Sequence, residues 1–420
     1  MRIIDDLLRE TSSGREAARI IRALNQAGFV AYLAGGCVRD ALLNTTPKDF
    51  DVATDARPDA VRDVFGRRHT LAFGASFGVI GVLPTRKATE PRSSPAAPTE
   101  VATFRADGGY SDGRRPNHVH FGTAEADAAR RDFTINGMFY DVNERVVIDH
   151  VGGQDDLRAS RLRTIGDATR RFNEDRLRML RAVRFATTLQ FQIEATTWQA
   201  IRQHASAIDI VSGERIGVEM QRIMTSPSVV DGLVYLLESE LSAHVWPELG
   251  SMDLHAMRTR IARPPQVSFE VAMALAALSM SEAYSISSVL HRWKRSSAEQ
   301  RAVNQAVATE RRLRDCAGMS WSELQPILID RDIDTTMVVA EAIAGPDCAG
   351  IRRAKMERKR PITSLDPPPI LTGDDLIQLG HRPGVSFKRW LTESRRMQLD
   401  GEAETKEEVI EKLGLGIADR

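Results

Sequence analysis

Three features are scarce in this sequence: cysteine, long apolar runs and charge of one sign. The 420 residues include three cysteines, Cys37, Cys316 and Cys348. Their odd number and wide spacing exclude a disulfide framework and a C-x-x-C metal site. Charged residues interrupt every long apolar run, so we expect no membrane span. The composition, 42% hydrophobic and 27% charged, is that of an ordinary globular chain and predicts a soluble, cytoplasmic protein of about two to four domains.

The basic residues balance the acidic ones, 57 against 57, which removes the simplest argument for a nucleic-acid-binding surface. They are unevenly chosen, however, because 49 are arginine and 8 are lysine. A planar guanidinium suits two-pronged contact with phosphates and base edges, whereas a GC-rich genome would produce the same bias without any function. Composition alone does not separate these two interpretations.

The distribution of apolar residues predicts an α+β front and an all-helical rear. Five short strands are expected at 29–34, 49–53, 77–83, 101–104 and 146–149. The most periodic helix covers 168–189, and helical patterns continue beyond 230. The segment 85–100 is rich in Pro, Ser, Thr and Ala, and we expect it to form a flexible loop between neighbouring strands.

The first chemical motif is LAGGCVRDALL followed by KDFDVAT. Gly35 and Gly36 stand between a predicted strand and a predicted helix, where backbone N–H groups approach an anion closely, and Arg39 lies one turn further on. The two-residue period of a strand places Asp49 and Asp51 on one face. Taken singly, a Gly-Gly pair is more often a plain turn, and a dinucleotide-binding turn is disfavoured because the third glycine of G-x-G-x-x-G is missing. Together, the two motifs resemble the nucleotidyltransferase superfamily related to DNA polymerase β.

Two carboxylates on one strand face repel each other unless a cation lies between them, and a pair of Mg²⁺ ions is the usual solution. Glu100, just ahead of the strand predicted at 101–104, is the best-placed third carboxylate. The sequence therefore predicts a magnesium site on Asp49 and Asp51, with Glu100 completing it.

An arginine-rich region follows, in four segments: 104–116 (FRADGGYSDGRRP), 129–137 (ARRDFTING), 152–157 (GGQDDL) and 173–186 (NEDRLRMLRAVRFA). In the last segment Asp175, Arg178, Arg181 and Arg184 recur every three residues along one side of the predicted helix. Such a stripe is commonly a solvated face with internal ion pairs, but here three arginines meet only one acid on the stripe. An Asp and an Arg one turn apart can also read a nucleobase edge. Arg181 and Arg184 would then face the triphosphate.

Six motifs in order, covering about residues 28–226, resemble the class II tRNA nucleotidyltransferases, the bacterial CCA-adding enzymes that share a family with bacterial poly(A) polymerases. The motifs are the GGCVRD and DFD pair, the four segments of the arginine-rich region and SGERIGVEMQRIM at 212–224. The resemblance implies a head with a five-stranded, polymerase β-like mixed sheet at 1–130. It further implies an all-α neck at 131–229 that recognises the nucleotide, and a helical body and tail at 230–420 that bind tRNA.

The same resemblance implies template-independent addition of CCA to the 3′ end of tRNA from CTP and ATP, with Mg²⁺ as cofactor. It assigns metal binding to Asp49 and Asp51 with support from Glu100, phosphate contacts to Gly36, Arg39, Arg181 and Arg184, ribose selection to Arg131 and Asp132, and base recognition to Asp175 and Arg178. A poly(A) polymerase, or a relative that adds only CC or only A, is the alternative within the family. Outside it, the alternative is a catalytically silent RNA-binding protein, which would be expected to have lost the acidic pair.

Overall fold

The computed structural model describes residues 2–74, 77–84, 97–109, 118–281 and 286–416. Residues 85–96 of the predicted loop at 85–100 lie outside the described residues. So do residues 110–116 of the loop at 104–116. The chain forms two compact units, Met1–Pro247 and Glu248–Arg420, which we call unit 1 and unit 2.

Unit 1 carries the sheet and the first half of the helices. In chain order its elements are α1 (Arg2–Glu10), α2 (Ser12–Gln26), β1 (Ala31–Ala34), α3 (Gly36–Leu42), β2 (Val52–Thr54), α4 (Pro58–Phe65), β3 (Thr70–Gly74), β4 (Val79–Val82), β5 (Thr99–Thr103), β6 (Arg105–Asp107), β7 (Val119–Phe121), α5 (Ala124–Ala129), β8 (Met138–Asp141), β9 (Val146–Asp149), α6 (Gly153–Arg158), β10 (Arg161–Leu162), α7 (Ala168–Glu174), α8 (Leu177–Leu189), β11 (Gln192–Ile193), α9 (Ala195–His204), α10 (Gly213–Met224), α11 (Val229–Glu238) and α12 (Ser242–Val245).

Seven strands of unit 1 form one sheet in the order β3-β4-β5-β2-β1-β8-β9. β2 and β5 run parallel and the other neighbours run antiparallel, so the sheet is mixed. The predicted class, a mixed-sheet head followed by a helical region, is confirmed. The expected number of five strands is wrong, because β3 and β8 join the five that the sequence predicts. β8 escapes prediction because its first three residues form an unbroken apolar run, each 0% exposed, without the alternation of a half-buried strand.

The sheet continues past residue 130, the predicted end of the head. β1 pairs with β8 through Leu33–Tyr140 and Ala34–Phe139. The Phe104 and Phe139 rings pack edge to face, with centroids 5.8 Å apart, in a buried cluster at this part of the sheet. The head sheet therefore extends to Asp149, and the boundary at 130 would divide it. The remaining boundary, at 229, stays a prediction.

The helix predicted over 168–189 is interrupted at Asp175. α7 ends at Glu174, Asp175 has an extended backbone (φ −147°, ψ 107°), and α8 begins at Leu177. The Asp175 carboxylate accepts a hydrogen bond from the Leu177 backbone N–H at 3.1 Å, which is the local bonding by which aspartate competes with a continuous helix. Asp175 therefore lies in the junction between two helices rather than on the face of one. Leu177, Leu180 and Val183 are buried, as the helical period predicts.

The described residues of unit 2 form helices joined by loops, with one isolated β-bridge between Met252 and Met280. Its elements are α13 (Leu254–Ile261), α14 (Phe269–Ala277), α15 (Ile286–Arg292), α16 (Ser297–Arg314), α17 (Trp321–Leu328), α18 (Ile333–Ala344), α19 (Ala349–Glu357), α20 (Ile362–Leu365), α21 (Gly373–Gln378), α22 (Val385–Leu399) and α23 (Lys406–Leu413). One apolar cluster joins α16 to α19, and a second joins α21 to α23. In the described part of the chain we find no helix that is both long enough and apolar enough to span a membrane.

Candidate active site

The eight side chains and backbone positions predicted to bind nucleotide come together in one cleft of unit 1. The cleft has a volume of about 550 Å³. Its lining includes Gly36, Arg39, Arg131, Asp132, Asp175, Arg178, Arg181 and Arg184, together with Gly35, Arg130, Asn136, Leu177, Phe185, Arg215 and Arg222, which the sequence analysis did not assign. Eight of the lining residues are arginines and two are aspartates, so the cleft favours an anionic ligand.

The turn between β1 and α3 requires glycine for two reasons. Gly35 has a φ of 72° and a ψ of −123°, a conformation that L side chains rarely adopt. A Cβ atom at Gly35 would also lie 2.6 Å from Nη1 of Arg131. The Gly35 backbone N–H donates to the carbonyl oxygen of Met138 at 2.9 Å, which fixes the turn to β8.

A buried carboxylate, Asp127 on α5, holds the two arginines that follow it. Its Oδ1 accepts from Nη2 of Arg130 at 2.6 Å, and its Oδ2 accepts from Nη2 of Arg131 at 3.0 Å. Burial would raise the pKa of Asp127, which is 1% exposed, but the charges of Arg131 and Arg130 outweigh it and the pKa is lowered. The sequence alone does not single out Asp127. Its only signal is the i, i+3 and i, i+4 spacing from the arginine pair.

Asp132 lies at the centre of a second set of contacts. Its Oδ1 accepts from the Phe133 backbone N–H at 2.8 Å and from Nδ2 of Asn136 at 3.0 Å, while Oδ2 accepts from Nε of Arg181 at 2.9 Å. Burial opposes ionisation, yet Arg181 and Asn136 hold the pKa of Asp132 well below its ordinary value. Asn136 in turn accepts from Nη1 of Arg39 at 2.5 Å, so one chain of hydrogen bonds joins α3 to α8.

Each arginine of the α8 stripe faces an acid from another element. Arg178 Nη1 lies 2.8 Å from Glu174 on α7, Arg181 pairs with Asp132, and Arg184 Nε lies 2.6 Å from Oε2 of Glu219 on α10. The stripe itself offers its arginines a single acid, as the sequence indicates, and the structure supplies three more acids from outside the stripe. Glu219 is 3% exposed and was missed, since nothing near it in the sequence separates it from a solvated glutamate.

The Arg184 side chain is poorly solvated, with 11% of its surface exposed. Burial lowers the pKa of Arg184 to about 10, with Arg181 and Arg222 adding to the effect and Glu219 opposing it. An anion bound in the cleft would stabilise the cationic form of such a buried guanidinium.

The base-reading pair predicted at Asp175 and Arg178 lies at the junction of α7 and α8. Oδ2 of Asp175 accepts from Nη2 of Arg215 on α10 at 2.8 Å. Arg178 Nη2 donates to the backbone oxygen of Arg130 at 3.2 Å, besides its pair with Glu174. Both side chains line the cleft and are oriented by partners behind them.

The predicted metal ligands lie near the N-terminal ends of β2 and β5, which run parallel inside the sheet. Asp49 and Asp51 are exposed and Phe50 between them is buried, as the strand period predicts, although β2 itself begins at Val52. Val52 pairs with Val101, so Asp51 and Glu100 occupy adjoining positions. Desolvation by the surrounding protein raises the pKa of Asp51 to about 6, with Glu100 and Asp49 adding to the shift and Arg131 opposing it, although the side chain stays accessible to solvent.

Carboxylate oxygens such as those of Asp49, Asp51 and Glu100 suit a hard divalent cation. Within residues 2–74, 77–84, 97–109, 118–281 and 286–416, however, no three His, Cys, Asp or Glu side chains are close enough together to hold a metal ion as they stand. The assignment of these three carboxylates to one metal site therefore stays a prediction.

The mixed sheet, its Gly-Gly turn and the arginine-lined cleft define a nucleotidyltransferase. A family model described as "Poly A polymerase head domain" matches residues 31–163, and one described as "Probable RNA and SrmB- binding site of polymerase A" matches residues 190–252.

Comparison with individual proteins narrows this class. A CCA-adding enzyme of Lactobacillus helveticus is 30% identical over 94% of this chain and 96% of its own length. One from Lactococcus lactis is 37% identical, and that match covers 59% of each protein, so it spans about three-fifths of the relative. A crystal structure of the Bacillus stearothermophilus CCA-adding enzyme in complex with CTP matches with a TM-score of 0.77 at 26% identity, over 96% of this chain and 98% of that one. The chain belongs to the family of CCA-adding enzymes, which generally use a divalent metal.

Asp127→Asn should destabilise unit 1 by roughly 3 kcal/mol at pH 7, because it leaves two arginines without their buried counter-charge. Since the folded-state pKa of Asp127 is lowered, its stabilisation is present above its ordinary value of 3.8 and is lost as the pH falls below that value. Denaturant unfolding of wild type and variant, followed from pH 7 downward, measures the difference. Asp155→Asn, which removes an exposed partner of Arg158, is the control and should unfold like wild type. A difference independent of pH would contradict the ion-pair account.

Proposed function

We propose that this chain adds C, C and A to the 3′ end of tRNA from CTP and ATP, releasing pyrophosphate. The observation that carries the proposal is the assembly in one cleft of every residue that the family's motifs assign to the nucleotide. The relative whose structure contains CTP has the same fold over nearly its whole length. Poly(A) synthesis is not favoured, because the relatives that match this chain are CCA-adding enzymes. One of them matches over 96% of its own length. Location in the cytoplasm belongs to the same proposal.

The triphosphate binds at Gly36, Arg39, Arg181 and Arg184. Arg39 and Arg181 stand at the two ends of the hydrogen-bond chain through Asn136 and Asp132, so a polyanion that binds both is contacted from two elements. The poorly solvated Arg184 provides a third cation. These contacts carry no information about the base and bind CTP and ATP alike.

Arg131 and Asp132 select the ribose. Asp132 accepts four hydrogen bonds, one from the Phe133 backbone N–H, one from Asn136 and two from Arg181, and an ionised carboxylate has about four acceptor positions. A ribose hydroxyl therefore donates to Asp132 in place of one of the two Arg181 contacts. The lowered pKa keeps Asp132 ionised, and thus an acceptor, throughout the physiological range.

Asp49 and Asp51 hold the divalent metal, which we take to be Mg²⁺, with Glu100 as the supporting carboxylate. When bound, the metal supplies activation of the terminal 3′-OH and charge stabilisation for the departing pyrophosphate. Arg131 lies between the metal ligands and the cleft. Its charge lowers the pKa of Asp51, and its side chain lines the nucleotide site.

Incubation of tRNA lacking CCA with CTP alone, ATP alone and both together tests the proposed function. We expect two cytidines from CTP alone, and CCA from the mixture. An Asp51→Ala variant should incorporate nothing while still shifting tRNA in a gel, which also tests the silent RNA-binding alternative. Long adenosine tracts would identify a poly(A) polymerase, and a shift without extension by wild type would contradict the proposal.

Divalent metal binding should weaken as the pH falls through 6, because protons compete with the metal for a carboxylate whose pKa is raised to about 6. Calorimetric titration with Mg²⁺ should give a nearly constant affinity from about pH 8 to about pH 7, and a loss approaching tenfold per unit below about pH 6. Asp51→Asn should bind more weakly and lose this dependence. Asp59→Asn, an acidic residue in the first turn of α4, is the control and should retain it. An affinity in wild type that is flat down to about pH 5 would contradict the assignment of Asp51.

Asp175→Asn should relax the choice among CTP, ATP, UTP and GTP by about 5- to 150-fold, the range expected for one good base-edge contact. Asparagine keeps an oxygen for the Leu177 N–H, so it tests base recognition with less disturbance than alanine would. Arg184→Ala is the contrasting variant and should raise KM for every nucleotide alike. The measurement is single-nucleotide incorporation with all four nucleotides. Unchanged preference in Asp175→Asn would mean that the Asp175–Arg215 pair is only structural.

A further inference from the structure

One aromatic ring lies among three of the arginines assigned to the triphosphate. The guanidinium carbon of Arg184 is 3.7 Å from the centroid of the Phe185 ring, that of Arg39 is 5.1 Å away and that of Arg181 is 5.5 Å away. All three distances are within the range in which a cation is attracted to the negative face of an aromatic ring. Phe185 is 5% exposed and lines the cleft.

The three arginines share three carboxylates. Arg39 pairs with the neighbouring Asp40, Arg181 with Asp132, and Arg184 with Glu219. Glu219 is shared, because it also lies 3.8 Å from Nη1 of Arg181. Because the three guanidinium groups gather around one ring, their mutual repulsion would tend to separate them before a nucleotide arrives.

The ring is itself held firmly. Phe185 packs edge to face on Phe133, with centroids 5.7 Å apart and an interplanar angle of 77°. Phe133 is 0% exposed and, among the described residues, no guanidinium is recorded over its ring. Phe185 therefore joins the buried core to the arginines, whereas Phe133 belongs to the core alone.

We infer that Phe185 is a positioning residue, whose ring gathers Arg39, Arg181 and Arg184 into the arrangement that receives the triphosphate. The inference rests on the proposed function and adds to it a residue that touches the arginines rather than the nucleotide. A ring face attracts guanidinium groups without neutralising them. It can therefore hold three cations together and still leave their charge for the ligand, which an additional carboxylate could not do.

Stepwise fluorination of the ring separates this role from simple packing. Phenylalanine at 185 is replaced by its 4-fluoro, 3,5-difluoro and 3,4,5-trifluoro analogues, which change shape little but withdraw electron density from the ring face. We expect KM for CTP and ATP to rise together with each fluorine, to roughly tenfold for the trifluoro ring. We expect kcat to change less than about twofold. The same series at Phe133 is the matched control, because it alters the shared edge-to-face contact without altering a ring that faces arginine.

A KM that stays at the wild-type value in the trifluoro variant would overturn the inference, as would an equal rise in the Phe133 series. Phe185→Leu should also raise KM for both nucleotides, and thermal unfolding of each variant shows whether the fold is retained. Wild type that extends no tRNA would contradict the proposed function instead. Wild type that extends tRNA and is insensitive to fluorination would contradict the role of Phe185 alone.

Discussion

Repulsion among arginines is the constraint on which the cleft of unit 1 depends. Eight arginines line one cleft of about 550 Å³, and such a concentration of like charge is unstable unless counter-charges lie behind it. Four of the counter-charges are buried acids, namely Asp127 on α5, Asp132 after it, Glu174 on α7 and Glu219 on α10. Asp40 and Asp175 also contribute, as partners of Arg39 and Arg215. The acids are fewer than the arginines, so the cleft keeps a positive surplus toward an anionic ligand.

This arrangement connects the site to the fold. Breaking a buried ion pair leaves a charge without a partner in a poorly solvated place, which costs more than the pair itself contributes. The acids therefore determine where α5, α7, α8 and α10 must lie relative to one another, since a shift of any of these helices would separate a pair. The same contacts that position the arginines for a ligand also specify the packing of the helices that follow the sheet.

The sequence predicts the parts of this site that local chemistry determines. Gly35 and Gly36, the D-x-D pair and the arginine stripe are visible because their spacing along the chain has a direct structural meaning. The partners of those residues are not visible in this way. Glu219 contacts Arg184 from another helix, and no helical or strand period relates their positions in the sequence. The sequence predicts Asp175 on a helix face, because the apolar period continues through it. In the structure the Asp175 carboxylate accepts a hydrogen bond from the Leu177 N–H, and the helix is interrupted there. The parts that escape prediction are thus contacts between elements, and local capping that overrides periodicity.

One end of the site gathers carboxylates and the other end gathers arginines, and one ligand can offset both charges. Near the N-terminal ends of β2 and β5, burial together with the charges of Glu100 and Asp49 raises the pKa of Asp51 to about 6. Beyond Arg131, burial together with the charges of Arg181 and Arg222 lowers the pKa of Arg184 to about 10. A free triphosphate would suit the arginines and be repelled by the carboxylates, and a free cation would do the reverse. A nucleoside triphosphate with its divalent metal carries both signs in the required order, so the protein's own imbalance of charge favours that complex over either component alone.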